Sequence, residues 1–250
     1  MNKRITVEMH VHTCFSKDSL MSLQQLAAAC KQKKIDCIAV TDHNTIRGAV
    51  AFRAAYPWIK VIIGEEISTA EGEIIGYFLA EEIEPGLSAK ETIRKIKAQG
   101  GLVCVPHPFD KKRSGVLKHK ALLENLSDID IIEAFNGRNI NHCSNIEAFR
   151  FAEEYGKLKS VGADAHTANE LGRCQLRIDD FSGVQDFASK LKTADSTCKR
   201  LSVWKNVIYS GGEIIKRLAM PFVCWNCFSC TIRKYKLSYM HKGNIDFRCR

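Results

Sequence analysis

No stretch of this 250-residue sequence stays apolar for anything near the roughly 20 residues that a membrane-spanning helix requires. Residues 1–12 are mixed polar and lack the build of a secretory signal. A net excess of either charge is missing from the body of the chain. From Thr197 onward, eleven Lys and Arg stand against only Glu213 and Asp246, whereas residues 1–196 carry 26 charges of each sign. The whole formal excess of +9 therefore lies in the tail. A neutral body argues against tight binding along a nucleic-acid duplex, which takes several phosphate-neutralising cations. Paired cysteine spacing is absent before residue 190, and the eleven cysteines are an odd number. Cys30, Cys37 and Cys104 sit inside apolar patterns, as small core residues do. That usage is expected of a reducing, cytoplasmic compartment.

What the chain has is a rhythm. Short apolar strands, the first ending at Glu8–Thr13 and later ones near 35–40, 61–63, 73–79, 102–105, 129–133, 160–162 and 176–178, alternate with helical patterns. The helices are predicted near 22–34, 45–55, 89–99, 116–126, 144–156 and 183–192. Such alternation predicts a parallel α/β barrel over residues 1–196, followed by a basic, cysteine-containing extension over 197–250. An open doubly wound sheet gathers its site at one switch point, whereas a barrel gathers it around all strand ends. Here His10 and His12, His43, Glu66, His107, Asp164 and His166 all follow or end strands. The barrel accounts for them better.

His10 and His12 stand two apart in a strand, so they share a face and reach one point together. Two converging imidazoles are able to hold a divalent metal. In order, His10-x-His12-x-x-x-Ser16-x-Asp18, Thr41-Asp42-His43-Asn44, Gly64-x-Glu66-Ile67-Ser68, Pro106-His107-Pro108 and Asp164-x-His166 resemble the motifs of the polymerase-and-histidinol-phosphatase (PHP) family. The resemblance spans about residues 5–170. It implies a distorted seven-stranded (β/α) barrel that holds two or three divalent metals and hydrolyses phosphoesters. Its ligands, carried over, are His10, His12, Asp18, His43, Glu66, His107, Asp164 and His166. One position departs from the family: Glu73 stands where many members have a histidine, and it is a candidate ligand in that histidine's place. Glu65 and Glu66 are neighbours in a strand and point to opposite faces, so only one of them belongs to the site.

Mixed imidazole and carboxylate donors suit Mn, Zn or Fe, and eight or nine ligands exceed what one tetrahedral ion uses. Two ions share a bridging hydroxide and clamp phosphate oxygens in such sites. Glu66 is the candidate bridging carboxylate, Asp164 a further catalytic ligand, and His166 or His43 the proton shuttle. Asn136, Arg138 and Arg173 are candidate substrate contacts, because guanidinium matches phosphate in a bidentate manner. Lys111, Lys112 and Arg113 follow the Pro-His-Pro motif on a loop at the barrel mouth. The expected activity is hydrolysis of a phosphomonoester or phosphodiester of a small metabolite, nucleotide or nucleic-acid end. The alternatives are a metal-dependent amidohydrolase, or a non-catalytic metal-binding scaffold acting through its tail.

In that tail, Cys224-x-x-Cys227-x-x-Cys230 invites a metal reading, with Cys198, His241 or Cys249 as fourth ligand, although none has characteristic spacing. Trp225, Phe228, Tyr235 and Tyr239 among basic residues invite contact with an anionic partner such as a membrane surface or nucleic acid. A plain extension is the favoured reading.

Overall fold

The structure, a computed structural model, describes residues 3–199. The tail motifs, from Cys224 to Cys249, lie outside the described residues. The elements are β1 (Arg4–Val11), α1 (Leu23–Lys33), β2 (Cys37–Val40), α2 (Arg47–Ala55), β3 (Lys60–Thr69), β4 (Gly72–Tyr77), α3 (Ala89–Ala98), β5 (Leu102–Val105), α4 (His119–Glu124), β6 (Ile131–Asn136), α5 (His142–Glu154), β7 (Leu158–Gly162), β8 (Cys174–Asp179), α6 (Gly183–Leu191) and β9 (Asp195–Cys198). Among the described residues, no helix is long and apolar enough to cross a membrane.

The nine strands form one sheet in the order β7-β6-β5-β4-β3-β2-β1-β8-β9. It curls until β7 nearly meets β1. Val11 bridges Ala165 just beyond β7, where the His12 amide donates to the Ala165 carbonyl at 2.9 Å and the Ala165 amide to that of His10 at 3.2 Å. The fold is thus α/β with a nearly closed, barrel-like sheet.

Strand direction departs from the parallel barrel that the alternation predicts, and the sheet is mixed. β4 runs antiparallel to both β3 and β5, because β3 turns straight into it without an intervening helix, and a hairpin cannot be parallel. Gly72 makes that turn possible. Its φ is +135°, and a Cβ there would fall 2.4 Å from the Leu117 Cα. β8 returns antiparallel to the first half of β1. β9, absent from the sequence reading, pairs with β8 and straddles residues 196 and 197.

β3 joins the two halves of the sheet. Its Lys60–Ile63 half pairs with β2 and its Gly64–Thr69 half with β4. The strand therefore continues through Glu65 and Glu66 instead of ending before them. Two register shifts matter for the site. In β1, three steps from Glu8 to Val11 face two steps from Ile38 to Val40; in β6, Glu133 and Phe135 face the consecutive Ser160 and Val161. Each extra residue is a β-bulge, which re-aims the side chains after it.

Local sequence explains the helices. Ser22 and Gln25 form a reciprocal capping box at the start of α1, and Ser88 and Asn141 cap α3 and α5. α1 buries Leu26, Ala27, Ala29 and Cys30 on the sheet, while α3 buries Ala89, Thr92, Ile93 and Ile96. Cys30, Cys37 and Cys104 are buried thiols, as their apolar settings predict.

Candidate metal centre

The ligand-type side chains meet at one end of the barrel because the parallel strands β1, β2, β3, β5, β6 and β7 all finish there. β1 delivers His10 and His12, whose Nε2 atoms lie 3.1 Å apart. The segment after β2 carries His43, which forms an isolated bridge to Glu66 and so continues the β2–β3 pairing into the site. β4 brings Glu73, the end of β5 leads to His107, and the end of β7 to Asp164 and His166. His107 and Asp164 have φ of +31° and +53°. A non-glycine residue in that region is strained, and such strain collects at functional sites.

Glu66 is the hub. Its Oε2 lies 3.3 Å from His10 Nε2, 3.2 Å from His12 Nε2 and 3.4 Å from His43 Nδ1, and its Oε1 lies 3.1 Å from His107 Nε2. Three overlapping groups have ligand atoms within 4.8 Å of one another: His10, His12 and Glu66; His12, Asp18, His43 and His166; and His43, Glu66 and Glu73. Asp164 Oδ1 is 3.5 Å from His12 Nε2, and His107 Nε2 is 3.7 Å from Glu73 Oε2.

A second layer of polar contacts aims these groups. Glu133 accepts from His10 Nδ1 at 2.9 Å, from the His107 amide at 2.8 Å and from Asn136 Nδ2 at 2.9 Å. With Nδ1 so engaged, His10 turns Nε2 to the cluster. Ser16 donates to Asp18 at 2.8 Å. Asp42 holds the Thr13 amide and hydroxyl at 2.5 and 2.7 Å, bracing the loop after β1. Glu170 accepts from the backbone of His166 and Thr167, both at 2.9 Å, and pairs with Arg138 at 3.1 Å.

Electrostatics follow from this crowding. Burial opposes ionisation of Glu66, yet the imidazoles of His10 and His43 hold it well below the usual carboxylate range. Burial alone would lower His10, but Asp164, Glu66 and Glu133 raise it well above the ordinary imidazole value. His12 rises to about 10 against its burial, through contacts with Asp164 and Glu66. His166 goes the other way, down to about 4, through burial, His12 and the Arg138 cation. Its Nδ1 donates to the Asp164 carbonyl at 2.9 Å, leaving Nε2 facing Asp18.

The donor set fits divalent cations. Nitrogen and oxygen donors converge in groups of three and four, and His43 Nδ1 is buried without a hydrogen-bond partner. Glu73 is raised by burial and then by the neighbouring Glu66 charge, a repulsion that a cation between them would relieve.

All nine residues expected as ligands come together here, and so does Asn136, which donates to Asp164 at 3.2 Å. Arg138 stands behind His166, with Nη1 3.2 Å from its Nδ1. Arg173 lies instead at the start of β8, where its charge bears on Lys33 and its carbonyl accepts from Lys199. Sequence reasoning missed Glu133, Glu170 and the specific place of Arg113. Of the mouth-loop cations, Arg113 reaches in: its Nη1 lies 2.6 Å from Asp164 Oδ2 and its Nη2 donates to Asn136 at 3.3 Å, while Asp110 holds its Nε at 3.3 Å.

Known proteins resemble this chain to different degrees. An uncharacterised protein of Methanocaldococcus jannaschii is 42% identical over 143 residues, covering 52% of this chain and 80% of its own. A protein of Caldicellulosiruptor saccharolyticus named "Probable phosphatase" is 24% identical over 204 residues, covering 69% of this chain and 84% of its own. Among solved structures, a two-domain Bacteroides vulgatus protein described as containing a predicted PHP-like metal-dependent phosphoesterase superposes with a TM-score of 0.64 at 19% identity, over 85% of this chain and 70% of that one. The sequence model of the PHP domain matches residues 8–160, the stretch from His10 to His107 and Glu133, and a PHP-associated model matches residues 143–196, which hold Asp164 and His166. With every clustered ligand-type residue inside those two matches, the chain belongs to the PHP domain family.

Proposed function

We propose that the chain is a metal-dependent phosphoesterase that cleaves a phosphomonoester or phosphodiester of a small metabolite, nucleotide or nucleic-acid end with two or three bound Mn, Zn or Fe ions. The observation that carries this reading is the overlap of the three donor groups on shared residues, His12, His43 and Glu66. Sharing suits a cluster of ions better than separate single sites. In this reading β1–β7 are the working seven-stranded barrel, residues 1–196 the catalytic body, and 197–250 an extension able to take a weak anionic partner.

His10, His12, Asp18, His43, Glu66, Glu73, His107, Asp164 and His166 would hold the ions, with Glu66 shared between them. Divalent ions so held supply Lewis-acid polarisation of the phosphoryl group. The chain's own groups do the rest. Glu133 and Glu170 keep His10 and His166 aimed. Burial first, then His12 and the Arg138 cation, keep His166 neutral and thus able to serve as a ligand. His43, the least covered imidazole of the cluster, is the better placed to pass a proton. Arg113 and Asn136 border the centre, and Arg113 presents a guanidinium to non-bridging phosphate oxygens. An amidohydrolase would use a solitary aspartate as base, and Asp164 is engaged by both Arg113 and Asn136.

The test is metal content by elemental analysis, paired with hydrolysis of an aryl phosphate and of a short 5′-phosphorylated oligonucleotide. Two or three ions per chain, with turnover lost in His10→Ala and Asp164→Ala, support the reading. At most one ion, or turnover indifferent to both substitutions, sinks it and brings forward the amidohydrolase or the scaffold.

A further inference from the structure

At the opposite margin of the sheet, β8 and β9 place two free thiols face to face. Cys174 opens β8, Cys198 closes β9, and the two are direct partners in the antiparallel register. The Lys199 amide donates to the Arg173 carbonyl at 2.6 Å, which makes Arg173 and Lys199 a hydrogen-bonded pair. Such pairs alternate along an antiparallel ladder with non-hydrogen-bonded ones, so Cys174 and Cys198 form the latter kind. In that kind the Cα atoms stand about 4.5 Å apart with side chains drawn together, inside the range of about 4.4–6.8 Å that a disulfide spans.

From this register we infer that Cys174 and Cys198 form a reversible redox pair, which closes into a cross-strand disulfide by exchange with a low-molecular-weight disulfide. The inference rests on the sheet and is independent of the proposed hydrolysis. The two thiols are unlike, and this sets the order of events. Cys198 is partly exposed at the margin of the sheet, whereas Cys174 is buried. A hydrogen bond from the Cys174 thiol draws the Cys198 thiol below its ordinary pKa, against its own burial. Cys198 is therefore the attacking sulfur. Its thiolate displaces one half of the small disulfide as a thiolate and becomes a mixed disulfide. Cys174 then loses its proton, attacks the Cys198 sulfur and releases the second half. In sum, two protein thiols and one small disulfide become one protein disulfide and two small thiols, with no other oxidant.

Cys174 also touches the site from behind. Its Sγ lies 3.0 Å from where a Cβ on Gly137 would stand, under the corner between Asn136 and Arg138. Closure would tie the last described strand to one that pairs with β1.

The experiment equilibrates the full chain with graded ratios of oxidised to reduced glutathione, blocks free thiols by alkylation, and maps linked peptides by mass spectrometry. The inference expects a peptide joining Cys174 to Cys198, lost on reduction, with the oxidised protein melting several degrees above the reduced. Cys174→Ser should strand Cys198 as a mixed disulfide with glutathione, and Cys198→Ser should leave Cys174 free. Two small, isosteric substitutions guard against misreading a folding defect. Both thiols remaining free at every ratio would overturn the inference, as would Cys198 joined instead to Cys224, Cys227, Cys230 or Cys249.

Discussion

Glu133 touches nothing that would mark it as functional in the sequence, yet it contacts His10, the His107 amide and Asn136 at once. Glu133→Gln keeps the size and loses the charge that fixes His10 Nδ1–H. Outer-layer partners of this kind are worth roughly 10–100-fold in metal affinity. Calorimetric titration should show a drop in that range for one class of ion, with the metal-free melting temperature little changed; an unaltered isotherm would deny Glu133 its role. Arg113 makes a different case. If its guanidinium binds substrate phosphate, Arg113→Ala should raise KM for an aryl phosphate by about 10–100-fold, the scale of a lost charge-assisted hydrogen bond. Arg113→Lys should recover only part, since an ammonium cannot reproduce the fork. Unchanged KM in both variants would remove Arg113 from the substrate side. The histidines and Asp164 were legible because each belongs to a short local pattern at or just after a strand end, whereas Glu66 lies within β3 and Glu73 near the start of β4. Arg113 was not legible, since beside Lys111 and Lys112 nothing in the sequence distinguishes the one cation that turns inward.

Elements were legible by type, less so by pairing. Helix positions from α1 to α6 follow from helical patterning, with side-chain caps marking the starts of α1, α3 and α5, and the exclusion of Glu65 follows from alternation alone: its carboxylate turns away and accepts from the Ile83 amide at 3.0 Å. The bulge in β6 explains why Glu133 was overlooked. Strict alternation would place Glu133 with Phe135, whereas the extra residue puts Glu133 and Asn136, three apart, on one face. The same crowding tests this account. At Gly162, opposite Asn136, a Cβ would fall 2.1 Å from Glu133 Oε1 and 2.6 Å from the His10 Cβ. Gly162→Ala should cost about 1–3 kcal/mol, as overpacking does, and should weaken metal binding as well. Gly156 serves as the contrast, with φ of +60° and nothing within 4 Å of its Cβ position. Gly156→Ala should cost about 1 kcal/mol of backbone strain and leave metal binding alone. Denaturant melts with parallel metal titrations separate the two, and equal effects on metal would refute the bulge account.

At the scale of the molecule, the curled sheet has to be sealed where β1 receives both β8 and the end of β7, a closure no local pattern announces. Glu8 lies in that seam, completely buried, its Oε2 accepting from the Gly172 amide at 2.7 Å and its Oε1 without a partner. The β1 bulge separates it from His10, so its neighbours are Lys33 and the β7–β8 connection instead of the cluster. Burial, only partly offset by the Gly172 hydrogen bond and Lys33, pushes its carboxyl from 4.5 up to about 8. A carboxyl raised on folding binds its proton more tightly in the folded state. Its contribution is therefore whole below about pH 4.5 and is lost as pH rises through 8. Each unit of the difference is worth about 1.4 kcal/mol, so the fall across the window amounts to several kcal/mol. Glu8→Gln carries no proton to lose and should flatten this part of the curve, becoming more stable than the parent at pH 9 while matching it near pH 5. Denaturant unfolding at the two pH values measures the difference directly. Parallel curves for the two proteins would mean that Glu8 stays ionised in the seam, with a cation or water there to meet it.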